Sequence, residues 1–533
     1  MTIIRRASAA ALVATILVAL APLAANKTID VDTATIAQLA AAFDAGTLTA
    51  ESLVQMCLAR IAAYDRKGPS LHAVMTLNPK ALETARALDA ERKAKGRRSP
   101  LHGIPVVLKD NYDTFDMPTT GGSVLLEGSI PSKDAFVVKK LRDAGAIILA
   151  KLNMSEFASA GAYSSLGGQS LNPHDLTRTP SGSSGGTGVA IAAAYAPIGL
   201  GTDTGGSIRG PSTSNGIVGL KPTLGLMSRA GIIPLALSFD TGGPMARSVY
   251  DVAVSLGIMA GVDPADAATA KSQGQVRTDY TQDLKADAMK GARIGVARDF
   301  LGADPDVDYV VETALAAMRK GGATIVDVRY PKWLLDAKEE FYTAVRYPEF
   351  TVQIAEYLAG TGPKYPKSLA EMIERANQFT GTREDGARPN PSRWSLFKRE
   401  SDSGTMADYR YKSVHDFGLP MVRTVVEGVF AEQRLDAIVY PTSSRRPGLI
   451  AALPGGGGGT PSATNIANLT GFPDLIVPAG FSGDGLPVGL SFFGPAFSEP
   501  RLLALGYSFE QTTQARRRPV HTPALPGATI SVP

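Results

Sequence analysis

The first structural signal along the chain is a helical spacing of apolar residues. From Val31 to about Lys95 they recur at intervals of three and four positions, which places them on one face of a helix. Thr49 precedes the run AESLVQMCLARIAAY and predicts a helix N-cap, with Ser52 three residues later. The next apolar run, GIPVVLK, is short and ends in Lys109, which is typical of a buried strand.

Helical and strand patterns then alternate. Residues 133–151 predict a helix, a stop at Gly145 and the strand AIILAK. VAIAAAYAPIGLG supplies a helix of small residues and a further apolar segment, and ARIGVA, DVDYVVETALAAMRKGG and ATIVDV predict a strand, a helix and a strand. This alternation predicts an α/β fold around a mainly parallel or mixed sheet.

Residues 331–430 differ from what precedes them. They are richer in aromatic and charged residues and mostly helical in pattern, so we expect a subdomain or lid on the substrate side of a site. After a glycine-rich loop at 452–462, LIVPAGF and GLPVGLSFFG predict strands, and a helix is expected from about Glu499. These strands complete the sheet, and residues 26–533 are expected to form a single domain.

Residues 1–25 have the layout of a secretory signal peptide. Arg5 and Arg6 precede an uncharged apolar run from Ala7 to Leu23, and small residues follow. The run is marginally short for a membrane-spanning helix. We therefore expect a periplasmic or secreted mature chain with no stable membrane span, and an uncleaved anchor is the alternative.

Composition excludes several classes of partner and cofactor. The 533 residues carry a net charge of only +4, so no nucleic-acid partner is expected. A single cysteine, Cys57, cannot form an intramolecular disulfide, and the five histidines form no HExxH pattern. Neither a metal nor an organic cofactor is implied.

Two stretches rich in glycine and hydroxyl groups carry the candidate chemistry. PSGSSGGTG (180–188) and TDTGGSIRGPS (202–212) flank the helix of small residues. A nucleophilic serine needs a proton acceptor and backbone N–H groups aimed at the developing oxyanion, and glycines let the backbone approach a substrate closely. Either stretch alone could be a surface loop, but both together with the strand that ends in Lys109 favour a serine hydrolase.

These stretches resemble the amidase signature family of serine hydrolases. The motifs that carry the resemblance, in chain order, are LHGIPVVLKDNYDT, AKLNMSEFA, PSGSSGG, GTDTGGSIRGPS, GIVGLKPTLGLMSR, DTGGPMARSV and NLTGFPDLIVPAGFSGDGLPVGLSFFG. They extend over roughly residues 33–515. The resemblance implies the amidase signature fold, a central mixed and twisted β-sheet covered by helices on both faces.

The resemblance also assigns roles to individual residues. Ser207 matches the acylated nucleophile, Ser183 the bridging serine held in a cis peptide, and Lys109 the general base. The backbone N–H groups that match the oxyanion hole are those of Thr204, Gly205, Gly206 and Ser207. An exposed lysine, with a pKa of about 10.4, would be protonated at neutral pH, so the base must be buried to become neutral.

Three further residues near these loops are expected to support the site. Asp203 and Arg209 flank the nucleophile and are expected to hold its loop by hydrogen bonds, and Ser184 could join the relay or shape its turn. Lys221, in GLKPT, is the competing lysine and is interpreted as structural. FASAGAYSS (157–165) is expected to line the acyl pocket.

The implied reaction is hydrolysis of a carboxylic amide to a carboxylate and ammonia or an amine. AGIIPLALSFDTGGPMARS looks most like a secreted, peptide-amidase-like branch. The expected substrate is a small-molecule or peptide amide, with esters and carbamates left open, and a homodimer is possible. One alternative is an α/β-hydrolase-type esterase, since GSSGG also fits GxSxG centred on Ser184, with His415 or His521 as its partner. A non-catalytic scaffold with the amidase fold is the other alternative.

Overall fold

The structure is a computed structural model that describes residues 27–159, 161–450 and 465–532. The predicted signal peptide and the glycine-rich loop at 452–462 lie outside the described residues. The strands are β1 (Lys27–Asp30), β2 (Val74–Leu77), β3 (Pro105–Lys109), β4 (Ile147–Leu152), β5 (Tyr163–Ser164), β6 (Gly168–Gln169), β7 (Ile198–Asp203), β8 (Val218–Lys221), β9 (Thr241–Ala246), β10 (Arg293–Ala297), β11 (Thr324–Val328), β12 (Ala437–Pro441), β13 (Asp474–Phe481), β14 (Pro487–Phe493) and β15 (Thr529–Val532).

Helices separate most of these strands. They are α1 (Ile36–Asp44), α2 (Ala50–Tyr64), α3 (Ala81–Lys95), α4 (Phe136–Asp143), α5 (Gly185–Ala192), α6 (Arg209–Ser214), α7 (Val249–Met259), α8 (Pro305–Lys320), α9 (Lys332–Ala359), α10 (Leu369–Gln378), α11 (Pro391–Ser401), α12 (Tyr409–Lys412), α13 (Leu419–Gln433), α14 (Asn465–Thr470) and α15 (Glu499–Thr513). A short π-helix, Ser413–Gly418, joins α12 to α13.

Eleven strands form one mixed sheet in the order β11-β10-β12-β14-β13-β8-β9-β7-β3-β4-β2. The pairs β10/β11, β10/β12, β3/β4 and β3/β7 are parallel, and the remaining pairs are antiparallel. Every residue of β3, β4 and β7 is buried, as continuous apolar runs predict for central strands. The predicted α/β fold with a mixed sheet is confirmed.

Local signals account for several element boundaries. Thr49 caps α2, where its side chain accepts a hydrogen bond from the Ser52 N–H and the Ser52 side chain accepts one from the Thr49 N–H. Gly145 lies past the end of α4 with a φ of +86°, a left-handed conformation that glycine adopts without strain. The helical pattern from Val31 to Lys95 corresponds to α1, α2 and α3, and it did not predict β2, a strand of four residues that is too short to show a period of its own.

Residues 331–430 are mostly helical, as predicted, and α9, α10, α11, α12 and α13 account for most of them. A buried cluster under α9, α10 and α11 includes Phe350, Ile354, Met372 and Phe397. Elsewhere, β1 pairs with β15 and so joins the two ends of the described chain. Among the helices of the described residues, none combines the length and hydrophobicity that a membrane-spanning segment requires.

Candidate active site

The site forms where two parallel strands end together. β3 and β7 are paired in parallel, with Val106 opposite Ile198 and Leu108 opposite Leu200, so their carboxyl ends share one edge of the sheet. β3 ends in Lys109 and β7 ends in Asp203. The carboxyl edge of parallel strands is where open α/β sheets place their ligands.

Lys109 is fully buried at this edge. Its Nζ lies 2.7 Å from the Ser183 Oγ and 2.7 Å from the Thr202 Oγ1. Burial lowers the pKa of Lys109 to about 7, against the opposing charges of Asp203 and Asp240. A substantial fraction of Lys109 is therefore neutral at physiological pH and able to accept a proton.

Two other lysines are equally buried and differ in what they contact. The Lys151 Nζ pairs with the Asp110 carboxylate at 3.2 Å. The Lys221 Nζ donates to the carbonyls of Pro222 and Phe472 at 3.1 and 2.8 Å, and burial lowers the pKa of Lys221 to about 7. A lowered pKa thus does not by itself distinguish a base, and the contact to a serine hydroxyl singles out the lysine on β3.

The first hydroxyl-rich loop lies between this lysine and α5. The peptide bond between Gly182 and Ser183 is cis. The Ser155 N–H donates to the Ser183 carbonyl at 3.0 Å. The Ser184 hydroxyl donates to the Thr202 carbonyl at 3.2 Å and accepts from the Thr202 N–H at 3.3 Å, which ties this loop to the end of β7.

The second loop carries Ser207, which is partly exposed. The Ser184 N–H donates to the Ser207 carbonyl at 3.2 Å, so the two loops are in contact. In the part of the chain that the structure describes, no hydrogen bond joins the Ser207 hydroxyl to Ser183. Hydrogen bonds of this kind are often completed only when substrate is bound.

Asp203 organises the second loop. Its carboxylate accepts hydrogen bonds from the N–H groups of Gly206 at 2.9 Å and Ile208 at 3.0 Å, and from the Arg209 Nε at 3.1 Å. Arg209 also pairs with Asp474 at 3.2 Å. Burial alone would raise the pKa of Asp203, but the guanidinium and these hydrogen bonds hold it well below its usual range. Both groups hold the loop, as expected.

One backbone group departs from the expected oxyanion set. The N–H of Gly206 already donates to the Asp203 carboxylate, so it supports the loop rather than facing a substrate. Thr204 is fixed through its side chain, whose hydroxyl donates to Asp240 at 2.5 Å. Sequence reasoning missed the role of the Gly206 N–H because the backbone conformation of the loop, which the motif does not give, decides which N–H groups reach the Asp203 carboxylate.

Comparison with known proteins identifies the family. The family model described as Amidase matches residues 52–503. A glutamyl-tRNA(Gln) amidotransferase subunit of Chloroflexus aggregans is 37% identical over 492 residues, which cover 90% of this chain and 96% of that relative. The chain belongs to the amidase family.

Solved structures agree on the fold. The peptide amidase from Stenotrophomonas maltophilia is 38% identical, with a TM-score of 0.84 over 92% of this amidase and 99% of that chain. A glutamyl-tRNA(Gln) amidotransferase subunit of Thermotoga maritima is 26% identical, with a TM-score of 0.69 over 92% of this amidase and 98% of that chain. The amidase is thus an amide-hydrolysing enzyme with the α/β amidase signature fold.

The amidase has no histidine placed to serve Ser184 among its described residues. The His415 Nδ1 contacts Asp416 at 2.7 Å, and the His521 backbone N–H donates to the Pro173 carbonyl at 3.3 Å. Within the described ranges, no histidine forms a hydrogen bond to Ser184. The alternative esterase mechanism therefore lacks its base, because the Ser184 hydroxyl is bonded to backbone instead.

Three residues that touch the site were not singled out from sequence. Asn111 donates to the Thr202 Oγ1 at 3.0 Å, so Thr202 receives both this amide and Lys109. Asp240 lies against Thr204. Thr202 directly precedes Asp203, and Asn111 lies two positions after Lys109, so their proximity in sequence could have marked both as site residues. Asp240 is the first residue of the motif DTGGPMARSV, but its contact with Thr204 depends on the register between β7 and β9, which the motif does not give.

Part of the FASAGAYSS stretch lies near the site. Ala158 lines a cavity of about 10 Å³ together with Thr202, Thr204 and the apolar side chains of Ile233 and Leu235. Ala160 lies outside the described residues. Within the described ranges of the amidase, no group of three or more acidic, cysteine or histidine side chains is arranged to hold a metal ion.

Proposed function

We propose that the amidase hydrolyses carboxylic amides through an acyl-enzyme on Ser207, with Ser183 passing protons between Ser207 and neutral Lys109. The observation that carries this proposal is the 2.7 Å contact between the Lys109 Nζ and the Ser183 Oγ. Lys109 is fully buried, and burial lowers its pKa to about 7. A lysine of this kind can act as a base at neutral pH.

The proposed reaction uses Ser207 as the nucleophile and Ser183 with Lys109 as the proton relay. The Ser207 Oγ attacks the amide carbonyl as its proton passes to Ser183, whose own proton passes to Lys109. The protonated lysine then returns a proton through Ser183 to the nitrogen of the leaving group, which departs as ammonia or an amine. Water attacks the acyl-enzyme, its proton follows the same relay, and Ser207 is regenerated as the carboxylate leaves.

The oxyanion of each tetrahedral intermediate needs backbone donors. We assign the N–H groups of Thr204, Gly205 and Ser207 to this role, with the N–H of Gly206 holding the loop through Asp203. Removing one preorganised donor of this type typically lowers the rate by about 10²–10³-fold.

Peptide amides are the substrate class that we favour. The peptide amidase of Stenotrophomonas maltophilia shares 38% identity over almost its whole length with this chain. The AGIIPLALSFDTGGPMARS stretch resembles the same branch. The amidotransferase relatives are named for a tRNA-linked activity, and the signal-peptide pattern at residues 1–25 disfavours that role here.

Recovery of a shortened mature chain in the periplasmic or culture fraction would support export, and retention of the full-length chain inside the cell would oppose it.

The test is release of ammonia or amine from a panel of peptide, aryl and aliphatic amides. We expect Ser207→Ala, Ser183→Ala and Lys109→Ala each to lower kcat/KM by about 10³-fold or more, since the groups act as a unit. Ser181→Ala is the matched control, because Ser181 lies in the same loop and should be replaceable. Full activity in Ser207→Ala or Lys109→Ala would contradict the mechanism. A wild-type chain that neither turns over amides nor reacts with a fluorophosphonate would indicate the non-catalytic scaffold.

A further inference from the structure

A buried carboxylate outside the relay lies beside the nucleophile loop. We propose that Asp240 is a positioning residue of this reaction: its buried carboxylate holds Thr204 at the oxyanion side of the site, and it carries its charge there without an ion pair among the described residues. The inference rests on the proposed function and adds a residue that controls both halves of it, the oxyanion donors and the base.

Strand register brings Asp240 to the site. β9 begins at Thr241, which is paired with Asp203 at the end of β7. Because the strands are antiparallel, the residue before Thr241 faces the residue after Asp203. Asp240 therefore meets Thr204, and its Oδ1 accepts the Thr204 hydroxyl at 2.5 Å.

The other carboxylate oxygen is also occupied. The Asp240 Oδ2 accepts hydrogen bonds from the N–H groups of Leu235 at 2.8 Å and Ala236 at 3.0 Å. Burial raises the pKa of Asp240 to about 6, and these three hydrogen bonds oppose the rise. Both oxygens of Asp240 thus accept hydrogen bonds, as in an ionised carboxylate.

The loop that holds Asp240 is itself anchored. The Leu237 N–H donates to the Gln353 side chain at 2.8 Å, and the Ser238 N–H donates to the Glu349 carboxylate at 3.0 Å. Both acceptors lie on α9, in the helical segment after residue 331. The position of Asp240, and with it that of Thr204, is thus set by this segment.

Two carboxylates raise the pKa of Lys109 against its burial, Asp203 and Asp240. Asp203, whose charge has the larger effect, also forms an ion pair with Arg209 at 3.1 Å. Across the described ranges, Asp240 forms no ion pair. Asp240 is thus a carboxylate without an ion pair whose charge acts on Lys109 together with that of Asp203.

The cations and phenols that face Asp240 do not neutralise it. The charge of Arg229 acts on Asp240, but its guanidinium pairs with Asp266 at 2.5 Å. Tyr342 approaches from α9, and burial raises the pKa of its phenol above the ordinary value, so it stays neutral. Removing the carboxylate charge should therefore be felt at the base.

The test compares Asp240→Asn with two controls, using kcat/KM on the best amide of the panel and the rate of fluorophosphonate labelling between pH 5 and 9. We expect Asp240→Asn to lose about tenfold or more in kcat/KM at pH 8. We also expect the acidic limb of its pH profile, the part in which kcat/KM rises with pH, to move to lower pH by about half a unit or more, because the base has lost an opposite charge.

Each control removes one part of the effect. Thr204→Val should lose rate without moving the limb, and Thr204→Ser should recover most of that loss because it keeps the hydroxyl. Asp251→Asn is matched in burial, since Asp251 is fully buried with a pKa raised to about 6 and accepts from the Ile36 N–H at 2.8 Å. It should lower stability and leave the limb in place.

The inference is overturned if the limb of Asp240→Asn stays within about a tenth of a pH unit of wild type, or if Asp251→Asn moves it equally. Should Asp240→Asn fail to fold, the wild-type profile decides: below pH 6 the slope of log kcat/KM against pH should exceed 1, because two groups must lose protons. A slope of 1 throughout would reject the role. Failure of the proposed function is distinguishable, since Ser207→Ala would then still label or turn over.

Discussion

At the scale of single residues, the environment of each buried lysine decides what it does. Lys109, Lys151 and Lys221 are all fully buried, yet only the first contacts a serine hydroxyl. The second is ion-paired and the third is bonded to backbone carbonyls. Burial is costly for an ammonium group, so an unpaired buried lysine reduces stability in exchange for a useful base.

This cost predicts a dependence of stability on pH. The pKa of Lys109 falls from 10.5 to about 7 on folding, so between these values the unfolded chain binds more protons and the free energy of unfolding rises with pH. Lys109→Met removes the cost and should be more stable than wild type by a few kcal/mol near pH 7. The difference in the free energy of unfolding between Lys109→Met and wild type should shrink towards pH 10.

Thermal or urea unfolding at several pH values measures this difference. Lys221→Met is the matched control, because burial also lowers the pKa of Lys221 to about 7. It should show a similar pH trend while amide turnover is retained. A stability difference between Lys109→Met and wild type that is constant from pH 7 to pH 9.5 would contradict a buried neutral lysine.

At the scale of elements, α9 packs directly on the second hydroxyl-rich loop, which carries Ser207. A methyl group added to Gly205 would lie 2.7 Å from the Tyr342 hydroxyl, and this tyrosine is stacked on Phe239 at 5.3 Å. Gly205→Ala should therefore lower kcat by about tenfold or more, because the loop must shift and its backbone N–H groups then no longer point at the oxyanion. Adding Tyr342→Ala should restore part of the loss, as measured by amide turnover. A double variant no more active than Gly205→Ala would contradict this packing.

The same scale shows what the sequence could and could not predict. β3 and β4 were predictable because each is a continuous buried apolar run. β9, with the sequence TGGPMA, is typical of a turn. Its glycines are needed because a Cβ at Gly243 would overlap the Leu220 carbonyl oxygen, so close strand packing conceals the strand signal.

The candidate site divides in the same way. Lys109, Ser183 and Ser207 could be named because family motifs mark them in one sequence. The motif DTGGPMARSV contains Asp240, but the contact of this residue with Thr204 follows from the pairing of β7 with β9 and could not be predicted. Motifs identify residues that share a loop, whereas contacts between distant loops require the register of the sheet.

At the scale of the whole molecule, the C-terminal segment closes the fold around the N-terminal helices. β15 pairs with β1. The Arg60 guanidinium, only 1% exposed, donates to the carbonyls of Thr522 and Pro523 at 3.1 Å each. These carbonyls accept hydrogen bonds from the guanidinium charge of Arg60, which is buried and therefore cannot be solvated by water.

Deletion of residues 519–532 should therefore destabilise the whole domain. It leaves Arg60 with a single carbonyl acceptor, that of Ala193 at 2.8 Å, and we expect a loss of about 3 kcal/mol or more in the free energy of unfolding. Urea unfolding measures it, with Val520→Ser as the control, because Val520 is 74% exposed. A truncated chain as stable as wild type would show that the segment is dispensable.

The most direct test of the central claim is to trap the acyl-enzyme. A peptide amide or a slowly deacylating ester is mixed with the protein, quenched in acid within a turnover and digested, and the modified peptide is located by mass spectrometry. The account predicts the acyl group on Ser207, with none in Ser207→Ala and strongly reduced trapping in Lys109→Ala. An acyl group on Ser184 instead, or turnover with no covalent adduct in wild type, would contradict it.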